Sequence, residues 1–165
     1  MLALGVDPGT ETTGFAVVEE DEKGELRSIQ YGVIKTSKEE EQANRLCTIY
    51  NEINKIIQLH RPETSAVEKL FFQRNVTNAI AVGQARGVIL LALANAGLSI
   101  SEYSPQEVKQ AVTGYGGADK RQIQVMVKTI LELDDIPKPD DAADAVAIAI
   151  CHLHAIGYRK KMTAE

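Results

Sequence analysis

The chain has 165 residues, 44% of them apolar and 25% charged, with a formal net charge of −5. That length predicts one domain with a proper core, over residues 1–157, followed by a short frayed tail over 158–165. The longest apolar candidate, residues 79–98, is interrupted by Gln84, Arg86 and Asn95, so no membrane-spanning helix is expected, and the lack of a leader pattern points to the cytoplasm.

Leu2-Ala3-Leu4-Gly5-Val6 is an apolar run of strand length that ends on Asp7. Pro8 and Gly9 turn the chain, and residues 12–19 read as the returning strand. A polar turn ending in Gly24 leads to a third strand over 25–34, which completes an antiparallel meander. Residues 39–60 carry Leu46, Ile49, Tyr50, Ile53, Ile56 and Ile57 at steps of three and four, the signature of an amphipathic helix. Glu39, Glu40 and Glu41 are expected at its positive end, where the dipole favours anions. A fourth strand over 65–70 contains Glu68, and a helix over 75–96 carries Gly83 and Gly87, small enough for close approach of a neighbour. A fifth strand spans 98–103, and a short helix spans 105–112 with Pro105 in its first turn. After the glycine loop at 114–117, Asp119 caps a helix running to about Leu133, with Gln122 in the capping-box position. The last helix spans 140–156, and its body at 145–150 is apolar nearly all round and so expected to be buried. Cys47 and Cys151 have no metal-binding spacing and read as buried, reduced thiols.

Charge is unevenly spread. Residues 66–130 hold 7 Lys/Arg against 4 Asp/Glu, while both flanks are acidic. A local basic surface is what phosphate binding requires, although a solvated helix face also gathers lysines. Lys69, Arg74, Arg86, Lys109, Lys120 and Arg121 are the candidate phosphate contacts, with Lys109 and Lys120 bracketing the glycine loop. Phe71 and Phe72 beside Arg74 suit stacking on bases.

Four acids stand out by position. Asp7 and Glu68 end strands, and Asp141 and Asp144 open the last helix three residues apart, on one face. Asp7 alone has two readings, a turn cap or a chemical group. Asp144 lies a turn inside an otherwise apolar helix with no cation near it in the local sequence. Carboxylates gathered at one point repel by about 4 kcal/mol per pair at 4 Å and an effective dielectric of 20. Hard divalent cations, Mg²⁺ or Mn²⁺, relieve that repulsion. Two of them about 3.5–4 Å apart can drive phosphodiester cleavage. The His152-x-His154 pair offers no rival site, because His152 lies about two turns beyond Asp144, too far to join the acids.

The chain resembles the RuvC-type Holliday-junction resolvases over essentially its whole length. The resemblance rests on Gly5-Val6-Asp7-Pro8-Gly9-Thr10 with Thr13-Gly14, and on Val67-Glu68 with Phe71. Gly83-Gln84-Ala85-Arg86-Gly87, Pro105-Gln106-Glu107-Val108-Lys109 and Asp140-Asp141-Ala142-Ala143-Asp144-Ala145 complete it. Asp-x-Gly-Thr after a strand also opens actin-like and sugar-kinase ATPases, which need two such domains. The resemblance implies an α/β, ribonuclease H-like fold, with a mixed five-stranded sheet flanked by helices. It implies that Asp7, Glu68, Asp141 and Asp144 are the catalytic, metal-binding acids, that Phe71 stacks at the junction point, and that Lys109 and Lys120 lie near the scissile phosphate. Arg74 and Arg121 are expected as further DNA contacts, and the carboxylate set leads to an expectation of Mg²⁺ or Mn²⁺, two ions per site. It implies a homodimer that nicks a four-way junction symmetrically and works with a branch-migration motor. Asp140, adjacent to Asp141, leaves an Asp140/Asp144 pairing open. A nuclease acting on RNA and a cleavage-silent junction-binding module are the other readings.

Overall fold

The computed structural model describes residues 1–70 and 76–163. The meander forms as expected: β1 (Leu2–Asp7), β2 (Thr12–Glu20) and β3 (Leu26–Lys35) pair antiparallel in sequence. Then follow α1 (Gln42–His60), β4 (Thr64–Glu68), α2 (Val76–Asn95), β5 (Ser99–Tyr103), α3 (Pro105–Thr113), α4 (Lys120–Ile130) and α5 (Asp140–Thr163). Among the described residues the strands make one sheet in the order β3-β2-β1-β4-β5. β4 pairs parallel with both β1 and β5, so each needs a helical crossover.

The two faces of the sheet carry different side chains. Leu4, Val6, Phe15 and Val17 point to one face and pack on Ile49, Ile53 and Ile57 of α1 and on Ala85, Ile89 and Leu93 of α2. Ala3, Ala16 and Ala66 point to the other, against α5, with α3 and α4 in the same cluster. Large residues hold α1 and α2 at ordinary side-chain distance, whereas small ones let α5 lie close. The approach is closest at two glycines. A Cβ on Gly5 would stand 2.5 Å from the Ala145 carbonyl oxygen, and one on Gly14 only 2.0 Å from that of Asp141. Buried between α5 and the sheet, His152 bonds Thr64 Oγ1 through Nε2 at 2.7 Å and the Tyr103 hydroxyl through Nδ1 at 3.0 Å. Burial pushes its pKa down to about 4, so it is a neutral core residue.

Several expectations need correction. α1 begins at Gln42, so Glu39 and Glu40 lie before the helix and Glu41 is its N-cap, without a side-chain capping bond. Ser37 has captured this segment as a turn: its hydroxyl accepts from Glu39 N–H and its carbonyl from Glu40 N–H. Cys47 is exposed, on the side of α1 away from Ile49 and Ile53, while Cys151 is buried. Gly83 and Gly87 face open space rather than a close neighbour within the chain. α4 ends at Ile130, short of Leu133, where Glu132 takes a left-handed conformation (φ 50°). α5 runs past Ile156 to Thr163: no proline follows Gly157, and Arg159 and Lys160 are good helix formers that suit a C-terminal end.

Gly14→Ala should force α5 off the sheet, because the obstructing atom is backbone. The expected loss is about 3 kcal/mol, at the upper end for overpacking, and a thermal midpoint lower by about 6–12 °C. Calorimetry would check this, and an unchanged midpoint would contradict the backbone contact.

Candidate active site

Strand alternation aims the first acid. Leu4 and Val6 point toward α1 and α2, so Asp7, like Ala3 and Gly5, points toward α5. The turn beyond it is held by the fully buried Thr13, whose hydroxyl donates to the Gly9 carbonyl at 2.6 Å. The second acid arrives through parallel pairing. Val6 pairs with Val67, so Glu68 leaves its strand beside Asp7 on the same face. Arg86 of α2 fixes that strand end by donating to the Glu68 carbonyl at 3.3 Å, and it also pairs with Glu102. The third and fourth acids come with α5. Asp7 lies opposite Gly14 in the β1–β2 ladder, and the bare backbone of Gly14 is where the first turn of α5 rests. Asp141 and Asp144 therefore reach the corner where β1 and β4 end.

The electrostatics confirm that these groups feel one another. Asp7 is pushed up to about 8 by burial first, then by the charges of Glu68, Asp144 and Asp141, with Lys120 opposing. Glu68 is pushed up to about 7 by burial and then by Asp144. Asp144 is also raised, chiefly by burial, although Lys120 pulls the other way. The cation missing from the local sequence of Asp144 thus comes from α4. Lys120 is the first residue of that helix, placed by a complete Asp119–Gln122 capping box. Its Nζ lies 3.3 Å from Asp144 Oδ2 and 3.2 Å from Asp140 Oδ2. Burial works against the Lys120 charge, but Asp144 and Asp140 outweigh it and raise its pKa.

Beside the acids opens a cleft of about 240 Å³, bordered by Glu68, Lys109, Lys120, Ile123 and Asp144 among others. Lys109 and Lys120 are thus brought to the acids as expected. Arg121 is not: it borders a separate groove with Tyr115, Val125 and Met126. Lys69 pairs with Glu107 at 3.7 Å. Phe71 and Arg74 lie outside the described residues. The role of Asp140 was not visible in the sequence: its Oδ1 accepts from Gln124 Nε2 at 2.9 Å while Oδ2 meets Lys120. The i,i+4 spacing of Lys120 and Gln124 was the available signal.

The donor set suits a hard divalent cation: every nearby candidate is a carboxylate, and one lysine offsets several negative charges. As the side chains stand, no three His, Cys, Asp or Glu among the described residues are close enough to enclose an ion. The acids share one corner but do not converge on one point.

A family model described as Crossover junction endodeoxyribonuclease RuvC matches residues 3–152. A protein of that name from Roseiflexus sp. (strain RS-1) is 56% identical over 152 residues, 92% of this chain and 90% of its own. Among solved structures, Thermus thermophilus RuvC superposes with a TM-score of 0.89 at 38% identity, over 96% of each chain. The T. thermophilus protein in complex with Holliday junction substrate superposes with a TM-score of 0.90 at 37% identity, over 94% of each chain. The fold is the expected ribonuclease H-like arrangement.

A pH dependence of stability follows. Asp7 and Glu68 have folded pKa values above their ordinary ones of 3.8 and 4.5. Their contribution is therefore fully present below pH 4 and is lost as pH rises through 7 to 8. In EDTA at pH 8, Asp7→Asn should melt at least about 4 °C above the unsubstituted chain, with the gap closing below pH 5. A lower midpoint for Asp7→Asn at pH 8 would contradict the crowding of charge at this corner.

Proposed function

Because the chain belongs to the crossover junction endodeoxyribonuclease RuvC family, we propose that it is a metal-dependent, structure-specific endonuclease that resolves four-way (Holliday) DNA junctions by paired, symmetric nicks in recombination and repair. The carrying observation is the corner where Asp7, Glu68, Asp141 and Asp144 press on one another beside a lysine-bordered cleft. Asp7, Glu68, Asp141 and Asp144 would hold Mg²⁺, with Mn²⁺ as a substitute and two ions per site. When bound, such ions generate a nucleophile from water and stabilise the departing oxygen.

The chain's own residues set the geometry. Asp7 and Glu68 sit on the ends of rigid strands, so the reacting phosphate is positioned by the core rather than by a loop. Lys109 and Lys120 border the cleft from α3 and α4, where they offset phosphate charge. Phe71, Arg74 and Arg121 are proposed as further DNA contacts. The two arginines would meet phosphates and position the DNA without reading bases, whereas Phe71 would stack on bases at the junction point. A branch-migration motor as partner rests on the family resemblance.

The test is incubation of the purified chain with a labelled four-way junction and a matched linear duplex, in Mg²⁺ and in EDTA. Expected are paired nicks in the junction alone, with metal alone, and none from Asp7→Asn, which still binds the junction. Binding without cleavage by the unsubstituted chain would favour a junction-binding module. Preferential cutting of an RNA substrate would favour the RNA-directed reading.

Symmetric nicking calls for two copies, and α2 offers the surface for pairing. Ile80, Gly83, Gly87 and Leu91 share one helix face; Ile80 is 61% and Leu91 53% exposed, and the glycines have open space above them. Sedimentation should give the mass of two chains, and Leu91→Glu the mass of one. A monomeric unsubstituted chain would contradict the pairing.

A further inference from the structure

We propose that Asp140 is a positioning residue, which tethers the Lys120 ammonium over the cleft so that it stays aimed at the phosphate once a cation engages Asp144. The inference rests on the metal-site reading above. Lys120 Nζ stands between two carboxylates, 3.2 Å from Asp140 Oδ2 and 3.3 Å from Asp144 Oδ2. The two acids differ in surroundings: the Asp144 side chain is 33% exposed and borders the cleft, whereas that of Asp140 is 62% exposed and does not.

Both oxygens of Asp140 are engaged by α4. Oδ2 meets Lys120, and Oδ1 accepts from Gln124 Nε2 at 2.9 Å. Lys120 and Gln124 are four residues apart and so stack on one face of the helix, gripping Asp140 from above. A cation drawn to Asp144 competes with Lys120 for that carboxylate and repels its ammonium. Lysine carries its charge on a flexible four-carbon stem, so without a second anchor Lys120 would swing into solvent when its partner is taken. Asp140, pinned by Gln124 and outside the lining of the cleft, supplies that anchor. In this arrangement Asp140 serves the lysine and Asp141 serves the acid corner.

A double-mutant cycle over Asp140→Asn and Lys120→Met tests this, with two readouts. One is calorimetric binding of Mn²⁺ to the DNA-free protein; the other is single-turnover cleavage at saturating junction. Asp140 is exposed, and asparagine keeps its shape, so the variant should fold. Asp140→Asn should slow cleavage about 10- to 100-fold, with junction affinity changed by less than about twofold. Lys120→Met should tighten Mn²⁺ binding severalfold by relieving Asp144 of its competitor. In the Lys120→Met background, adding Asp140→Asn should change neither readout by more than about twofold. Weaker Mn²⁺ binding from Asp140→Asn in that background would make Asp140 a ligand and overturn the proposal. So would unsubstituted cleavage rates from Asp140→Asn, with the metal reading intact. An unsubstituted chain that takes up no Mn²⁺ would overturn both.

Discussion

The backbone-to-backbone contact of α5 on β1 and β2 is the constraint on which the site depends. It exists because Gly5 and Gly14 have no side chains and because Ala3, Ala16 and Ala66 keep that face of the sheet low. The opposite face, with Leu4, Val6, Phe15 and Val17, holds its helices at ordinary distance. Had the two faces been alike, Asp141 and Asp144 would stand a side chain's width further from Asp7. Asp7 and Glu68 owe their proximity to parallel pairing of β1 with β4; the α5 acids owe theirs to missing atoms.

That packing creates an electrostatic conflict. Burial at this corner raises the pKa of Asp7, Glu68 and Asp144, and neighbouring carboxylates raise them further. A like-charge pair at 4 Å is unfavourable by about 4 kcal/mol at an effective dielectric of 20. Lys120 relieves part of this through Asp144 and Asp140, but a single ammonium cannot neutralise the whole group. The fold is stable enough to hold a corner that is unfavourable in isolation, a pattern common to sites shaped for a cation and a phosphate. Stability and chemistry pull in opposite directions at Asp7, while at His152 they do not meet: that imidazole is bonded on both nitrogens within the core.

The sequence was legible where local rules decide. Short strands joined by tight turns gave the meander, three- and four-residue steps gave α1, and the Asp119–Gln122 box placed the start of α4. Asp7 and Glu68 were readable as acids at strand ends. Pairings across long separations were not readable. Nothing near Asp144 announces Lys120, 24 residues away, and nothing near Asp140 announces Gln124. Gly14 looked like part of a motif, yet its role as the seat of α5 depends on register with Asp7, which appears only after folding. The Glu39–Glu41 run failed because a serine turn competes with helix initiation, and Cys47 failed because small apolar residues occupy either side of a helix. Arg121 borders a groove separate from the acid corner because one step along α4 from Lys120 turns a side chain by about 100°.

The central claim is that four carboxylates assembled by β1, β4 and α5 form a divalent-cation site. Anomalous diffraction from crystals soaked in Mn²⁺ tests it most directly. The account predicts anomalous density at the corner shared by Asp7 and Glu68, in contact with the α5 acids, and Lys120 withdrawn from Asp144 but still paired with Asp140. Absence of density there in crystals that diffract well, with Lys120 unmoved between its two acids, would contradict it.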